Sequence, residues 1–144
     1  MREILFRAKQ KNWCELPKDD WWVEGYPVKY QPCASKDEWI YGIVPTYASA
    51  LYIIEIDPET LCQYTGKSDE DGKKIFEGDI VGFIDLYSTE SGYSESSCLG
   101  EVIWSKEECC FHVTNRLSAE SWEILDECKV VGNVFDNKEL LDEL

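Results

Sequence analysis

The sequence predicts a mainly β fold that ends in a short helix, and three observations carry that expectation. Apolar and polar residues alternate with a period of two along most segments, which is the pattern of a strand with one buried face. Gly, Pro, Asn and Asp punctuate those segments at short intervals, as turns require. The chain also carries 6 Trp, 8 Tyr and 5 Phe, side chains that favour pleated, half-buried positions.

Taken in order, EILFRA (residues 3–8) reads as a first strand with Ile4 and Phe6 on one face. WWVEGYPVKY (21–30) and EWIYGIVP (38–45) share a Trp-aliphatic-x-Gly-apolar pattern and read as two strands that pair, joined through PCASKDE (32–38). ALYIIEI (50–56) is a further strand. Asp57-Pro58-Glu59 stops it, because proline fixes φ and the Asp side chain can accept backbone N–H groups. KIFEG, DIVGFIDLY, GEVIWS, CCFHVTN and CKVVGNVF follow as strands. Residues 87–100, YSTESGYSESSCLG, have little to bury and read as a long exposed, flexible loop. SAESWEILDE (118–127) suits a short helix or turn. DNKELLDEL (136–144) has a polar cap ahead of Leu140, Leu141 and Leu144 and is the terminal helix.

A chain of 144 residues has the length of one domain, here taken as 1–144, and buries about two-thirds of the surface its unfolded form exposes. Charges at Arg2, Glu3 and Arg7 interrupt any signal-like apolar run, and no segment approaches the roughly 18 apolar residues of a spanning helix. A cytoplasmic protein with no membrane role is expected. The 7 cysteines are odd in number and accompanied by a single histidine. They lack the C-x-x-C pairs of a zinc site, so reduced thiols with no metal are expected.

The net charge is −15, from 29 acidic against 14 basic residues. Contact with a phosphate backbone needs a basic patch, and only Arg7, Lys9 and Lys11 or Lys73 and Lys74 cluster at all. Direct nucleic-acid binding is disfavoured. An acidic mimic that occupies the nucleic-acid-binding surface of another protein remains open as an alternative to a merely solvated acidic surface.

The stretch QYTGKSDEDGKKIFEGDIV (63–81) has the look of a cation or phosphate loop. With Gly72 at the sixth position of a calcium loop, Asp69 and Asp71 fall correctly, but Lys67 and Gly78 occupy the first and last ligand positions. A P-loop fails as well, since Asp71 stands where its second glycine belongs. A structural role is left, with Asp71-Gly72 supplying the positive φ angles of a hairpin and Glu77-Gly78-Asp79 turning the chain into Ile80 and Val81.

The longer segment PETLCQYTGKSDEDGKKIFEGDIV (58–81) resembles the signature of the YopX family, small proteins of phages and prophages of Gram-positive bacteria. Pro58, Glu59, Thr60, Gln63–Gly66, Asp69, Gly72, Lys73 and Ile75–Val81 carry the likeness. MREILFRAK at the start, WVEGY (22–26) and VVGNVFDNKELL (130–141) extend it over nearly the whole chain. Cys62, Lys67 and Lys138 depart from the usual Gly, Leu and Pro. A cysteine at 62 means that this position does not need a positive φ. The resemblance implies small barrel-like antiparallel sheets, as one body or two packed sub-sheets, inside a bacterial host. It implies no activity, cofactor or catalytic residue.

Two further constellations bear on function. Cys110 and His112 are two apart on one strand face and are the best nucleophile and base candidates, although nothing nearby offers an oxyanion hole. The pairs Asp69 with Asp71 and Glu55 with Asp57 could serve acid-base work or a cation, and read more simply as surface. The expectation is therefore no catalytic, cofactor-binding or metal-binding residue. Trp21, Trp22, Tyr26, Trp39 and Tyr41 form a candidate interaction surface, since aromatics are enriched at interface cores. The reading they favour is a non-enzymatic interaction module that binds a host or phage protein and self-associates.

Overall fold

The computed structural model describes residues 3–32, 37–47, 52–115 and 120–142. It is mainly β, with two antiparallel sheets and a short C-terminal helix. The chain divides into two compact units, residues 1–64 and 65–144.

The first unit contains β1 (Phe6–Lys9), β2 (Trp22–Tyr30), β3 (Ile40–Pro45), β4 (Ile54–Glu55) and the start of β5 (Cys62–Ser68), in the spatial order β4-β3-β2-β1-β5. The two strands with the shared Trp-Gly pattern do pair, antiparallel, with Gly25 opposite Pro45 and Val28 opposite Gly42. Their glycines are there for room. A Cβ on Gly25 would run into the Val44 carbonyl, and one on Gly42 into the Ile53 side chain. Ala8 lies opposite Val23 and Ile43 opposite Ile54. With Ile56 and Leu61 they make the apolar core of this unit. The first strand begins later than expected: Ile4 is exposed outside it, and Leu5 is the buried residue. Of the expected strand over 50–56 only Ile54–Glu55 pairs as β4, and residues 50 and 51 lie outside the described ones. The Asp57-Pro58 stop behaves as anticipated, the Asp57 carboxylate accepting the Glu59 N–H at 3.1 Å.

In the second unit β5 runs on to Ser68, β6 (Lys74–Phe76) follows, and β7 (Asp79–Thr89), β8 (Gly92–Ser105), β9 (Cys110–Asn115), β10 (Glu120–Trp122) and β11 (Lys129–Asn133) form a sheet in the order β10-β9-β8-β7-β11. Ile75, Val81, Phe83, Val102, Val113, Ile124 and Cys128 build its core. Helix α1 (Glu139–Asp142) falls within the expected terminal helix, of which residues 143 and 144 lie outside the described ones.

Three expectations need correction. Neither sheet closes into a barrel: among the described residues the end strands of each do not pair with one another. In the second sheet β10 has only 3 residues and β11 is bent by a bulge between Val130 and Gly132, so neither end offers a full-length partner for closure. The loop expected over 87–100 is instead the tip of a hairpin, paired through Tyr87 opposite Ser94 and Thr89 opposite Gly92. Most of its residues are exposed, so a polar sequence can pair there without an apolar face to announce it. The segment 118–127, expected as a short helix or turn, is described from residue 120 on: Glu120–Trp122 is strand β10, and only residues 126–127 form a turn. Trp122 packs edge-on against Phe83 at 5.0 Å, and this tertiary contact outweighs the local helix preference.

Candidate functional site

The five aromatic residues singled out from the sequence fall into three places. Trp21 and Trp22 are half-buried on the first unit. Lys9 stands directly opposite Trp22 across β1 and β2. It is only 2% exposed, and its ammonium lies 3.8 Å from the Trp13 ring centroid, 4.6 Å from Trp21 and 5.5 Å from Trp22. Three indole faces therefore surround one cation, an arrangement that offsets part of its desolvation. The Trp21 ring N–H donates to the Leu16 carbonyl at 3.0 Å, so these rings are held in place.

Trp39 and Tyr41 come together elsewhere. Tyr41 is opposite Lys29 in the β2–β3 pairing, and the Lys29 ammonium sits 4.4 Å from the Trp39 ring and 5.5 Å from Tyr41. Both rings stay open to solvent, at 48% and 36% exposure. Beside them is a hollow of about 310 Å³ walled by Trp39, Tyr41, Ile56 and Pro58, with Lys11 and Glu55 at its edge. Lys11 and Glu55 form an ion pair at 3.3 Å. Tyr26 is 52% exposed but pairs with Val44, an odd number of residues from Lys29, and so points to the opposite sheet face.

The second constellation lies at the turn between β8 and β9. Ser105 pairs with Cys110, and Lys106–Cys109 span the turn. Cys109 has φ of 54°, the one positive value at a non-glycine among the described residues. Cys110 Sγ lies 3.0 Å from His112 Nε2, and Glu108 Oε2 lies 2.8 Å from the same nitrogen. The structure thus brings together the two residues paired from the sequence and adds Glu108, which sequence reading missed. The available signal was the alternation E-x-C-x-H. Burial pushes the Cys110 thiol up, and the Glu108 carboxylate, Cys109 and Glu123 push it further. A nucleophilic cysteine needs the opposite shift. The carboxylate also meets the same ring nitrogen as the thiol, whereas an orienting carboxylate would hold the other one.

The signature segment is built quite differently. Asp69 Oδ1 accepts the backbone N–H groups of Asp71 and Lys73, each at 2.9 Å, and Oδ2 accepts that of Val130 at 3.0 Å. The Val130 bond, foremost, and those from Lys73 and Asp71 hold this buried carboxyl below its ordinary range, against the opposing effect of burial. Within the Asp69–Gly72 turn the positive φ falls on Gly72, at 82°, and not on Asp71, so the turn is not the Asp71-Gly72 pair of left-handed residues expected. The Asp69 side chain organises the preceding residues itself, and one glycine completes the turn. Asp79 is likewise buried and accepts the Phe76 N–H at 2.8 Å, closing the Glu77-Gly78 turn. Asn133 accepts the N–H groups of Phe135 and Asp136. Neither proposed carboxylate pair faces a common point, since Asp71 approaches Lys129, Glu55 pairs with Lys11, and Asp57 caps its own turn.

Two antiparallel sheets, turns locked by Asp and Asn side chains, and exposed aromatics on one sheet define a small β protein whose signature residues serve architecture. The chain belongs to the YopX family: the family model described as YopX protein matches residues 6–142. No curated protein matches it. No helix among the described residues is long and apolar enough to cross a membrane.

Proposed function

We propose that the chain is a non-enzymatic protein-interaction module of phage or prophage origin that acts inside its bacterial host. The observation that carries this reading is the exposed pair Trp39 and Tyr41, held on Lys29 beside a hollow wide enough for one partner side chain. Trp and Tyr dominate the binding energy of protein interfaces, and rings already fixed by a neighbouring cation lose little freedom on binding. The first occupant to consider is a host or phage protein, and self-association through the same pair is the second.

Capture of the tagged chain from host lysate, beside a Trp39→Ala/Tyr41→Ala variant and with or without nuclease, tests it. A protein partner that survives nuclease and is lost from the variant supports the module. A partner retained by the variant removes this surface from consideration. Loss on nuclease treatment favours nucleic-acid binding, and a nuclease-resistant partner that itself binds DNA and ignores the variant favours acidic mimicry.

A further inference from the structure

We infer that Glu108, Cys110 and His112 form a binding site for a divalent transition-metal ion of the zinc class. The residue types supply a thiolate sulfur, an imidazole nitrogen and a carboxylate oxygen, each an ordinary zinc ligand. Their chain positions explain how they meet. Alternate residues of a strand share a face, which sets Cys110 beside His112 on β9. The left-handed backbone at Cys109 then curls Glu108 back over the same face. A non-glycine residue in that conformation is uncommon, and such residues cluster where a function needs a fixed shape.

The distances fit a shared ion. The three ligand atoms all lie within 4.8 Å of one another, with sulfur to nitrogen at 3.0 Å and oxygen to nitrogen at 2.8 Å. Zinc bonds of about 2.0–2.3 Å in a tetrahedral site place ligand atoms roughly 3.4–3.6 Å apart. Small side-chain movements at this surface turn, Nε2 drawing back by a few tenths of an ångström and Sγ and Oε2 closing from within 4.8 Å, would admit the ion. Sγ and Oε2 both converge on one ring nitrogen, Nε2 of His112. A cation placed among them resolves that crowding. Thiolate and Glu108 together balance a charge of two, and the nearby Glu123 adds to the attraction. The Glu108 side chain is 64% exposed, which provides an entry path and leaves the fourth position to water or to an added ligand.

The test is titration of the chelator-treated full chain with Co²⁺, followed by displacement with Zn²⁺. The expected result is one equivalent of Co²⁺ bound, with the visible bands of a four-coordinate site and a thiolate-to-cobalt charge-transfer band, all erased by Zn²⁺. Cys110→Ser should abolish the charge-transfer band, His112→Ala should weaken binding by about tenfold or more, and Cys109→Ser should change neither. Glu108→Gln, at an exposed position that leaves the fold intact, should weaken binding while keeping the sulfur band. Absence of stoichiometric binding overturns the site. So does a charge-transfer band that persists in Cys110→Ser, or binding indifferent to Glu108→Gln and His112→Ala alike.

Discussion

The turn at Asp69–Gly72 and the turn at Lys106–Cys109 both join neighbouring strands of the second unit, both contain a left-handed residue, and both carry acidic side chains. They differ in where their carboxylates point. Asp69 is turned inward and bonded to three backbone N–H groups, two from its own turn and one from the bulged strand β11. Glu108 is turned along the surface toward a thiol and an imidazole. An acid whose lone pairs are filled by backbone belongs to the architecture however much its sequence resembles a cation loop. An acid that converges with other side-chain ligands keeps its chemistry available.

The sharpest way to break this comparison is Asp69→Ala. It strips partners from three N–H groups around a buried side chain and should lower the unfolding free energy by about 3 kcal/mol, read by chemical denaturation. Glu108→Ala should leave the denaturation midpoint nearly unchanged, and an equal loss from both variants would erase the distinction. Acidification sharpens the same point. Because the folded carboxyl of Asp69 is held below its ordinary value of 3.8, its contribution is full above that value and disappears as pH falls through the folded one. The stability gap between the wild type and Asp69→Asn should therefore be constant from neutral pH down to about 4 and narrow below it.

Smaller effects separate the two left-handed residues. Gly72→Ala meets no neighbour within 4 Å, so its cost is purely conformational and should be about 1–2 kcal/mol. Cys109→Gly should act in the opposite sense and raise stability by up to about 1 kcal/mol, since it relieves a side chain from a conformation that glycine adopts freely. A loss at Cys109→Gly would mean that the backbone there is at ease and that no strain favours the Glu108 position.

Legibility followed the range of the determining contacts. The β2–β3 pairing and the helical Leu140–Leu141 segment were readable because alternation and a leucine run behind polar residues are local signals. The β7–β8 tip was not, since a hairpin exposed on both faces has no alternation to show. Nor was β10, where the packing of Trp122 on Phe83 sets the outcome. Cys110 and His112 could be paired by counting along the strand, whereas Glu108, at the next alternate position, lies in the turn before it, where a cysteine and not a glycine takes the left-handed conformation. Lys9 among the tryptophans depends on a cross-strand register that composition does not reveal, and two of its three rings, Trp21 and Trp22, lie well along the chain.

That enclosed lysine gives the first unit a built-in clock. Amine-acylating reagents must reach the amine, and Lys9, 2% exposed among its indoles, is out of reach until the surrounding strands part. Lys11, two residues further on, has a side chain 67% exposed and is acylated directly. A single peptide read by mass spectrometry thus contains both the probe and its reference. The delay between the two labels reports how often the first unit opens, with no engineered tag and no perturbation of either sheet.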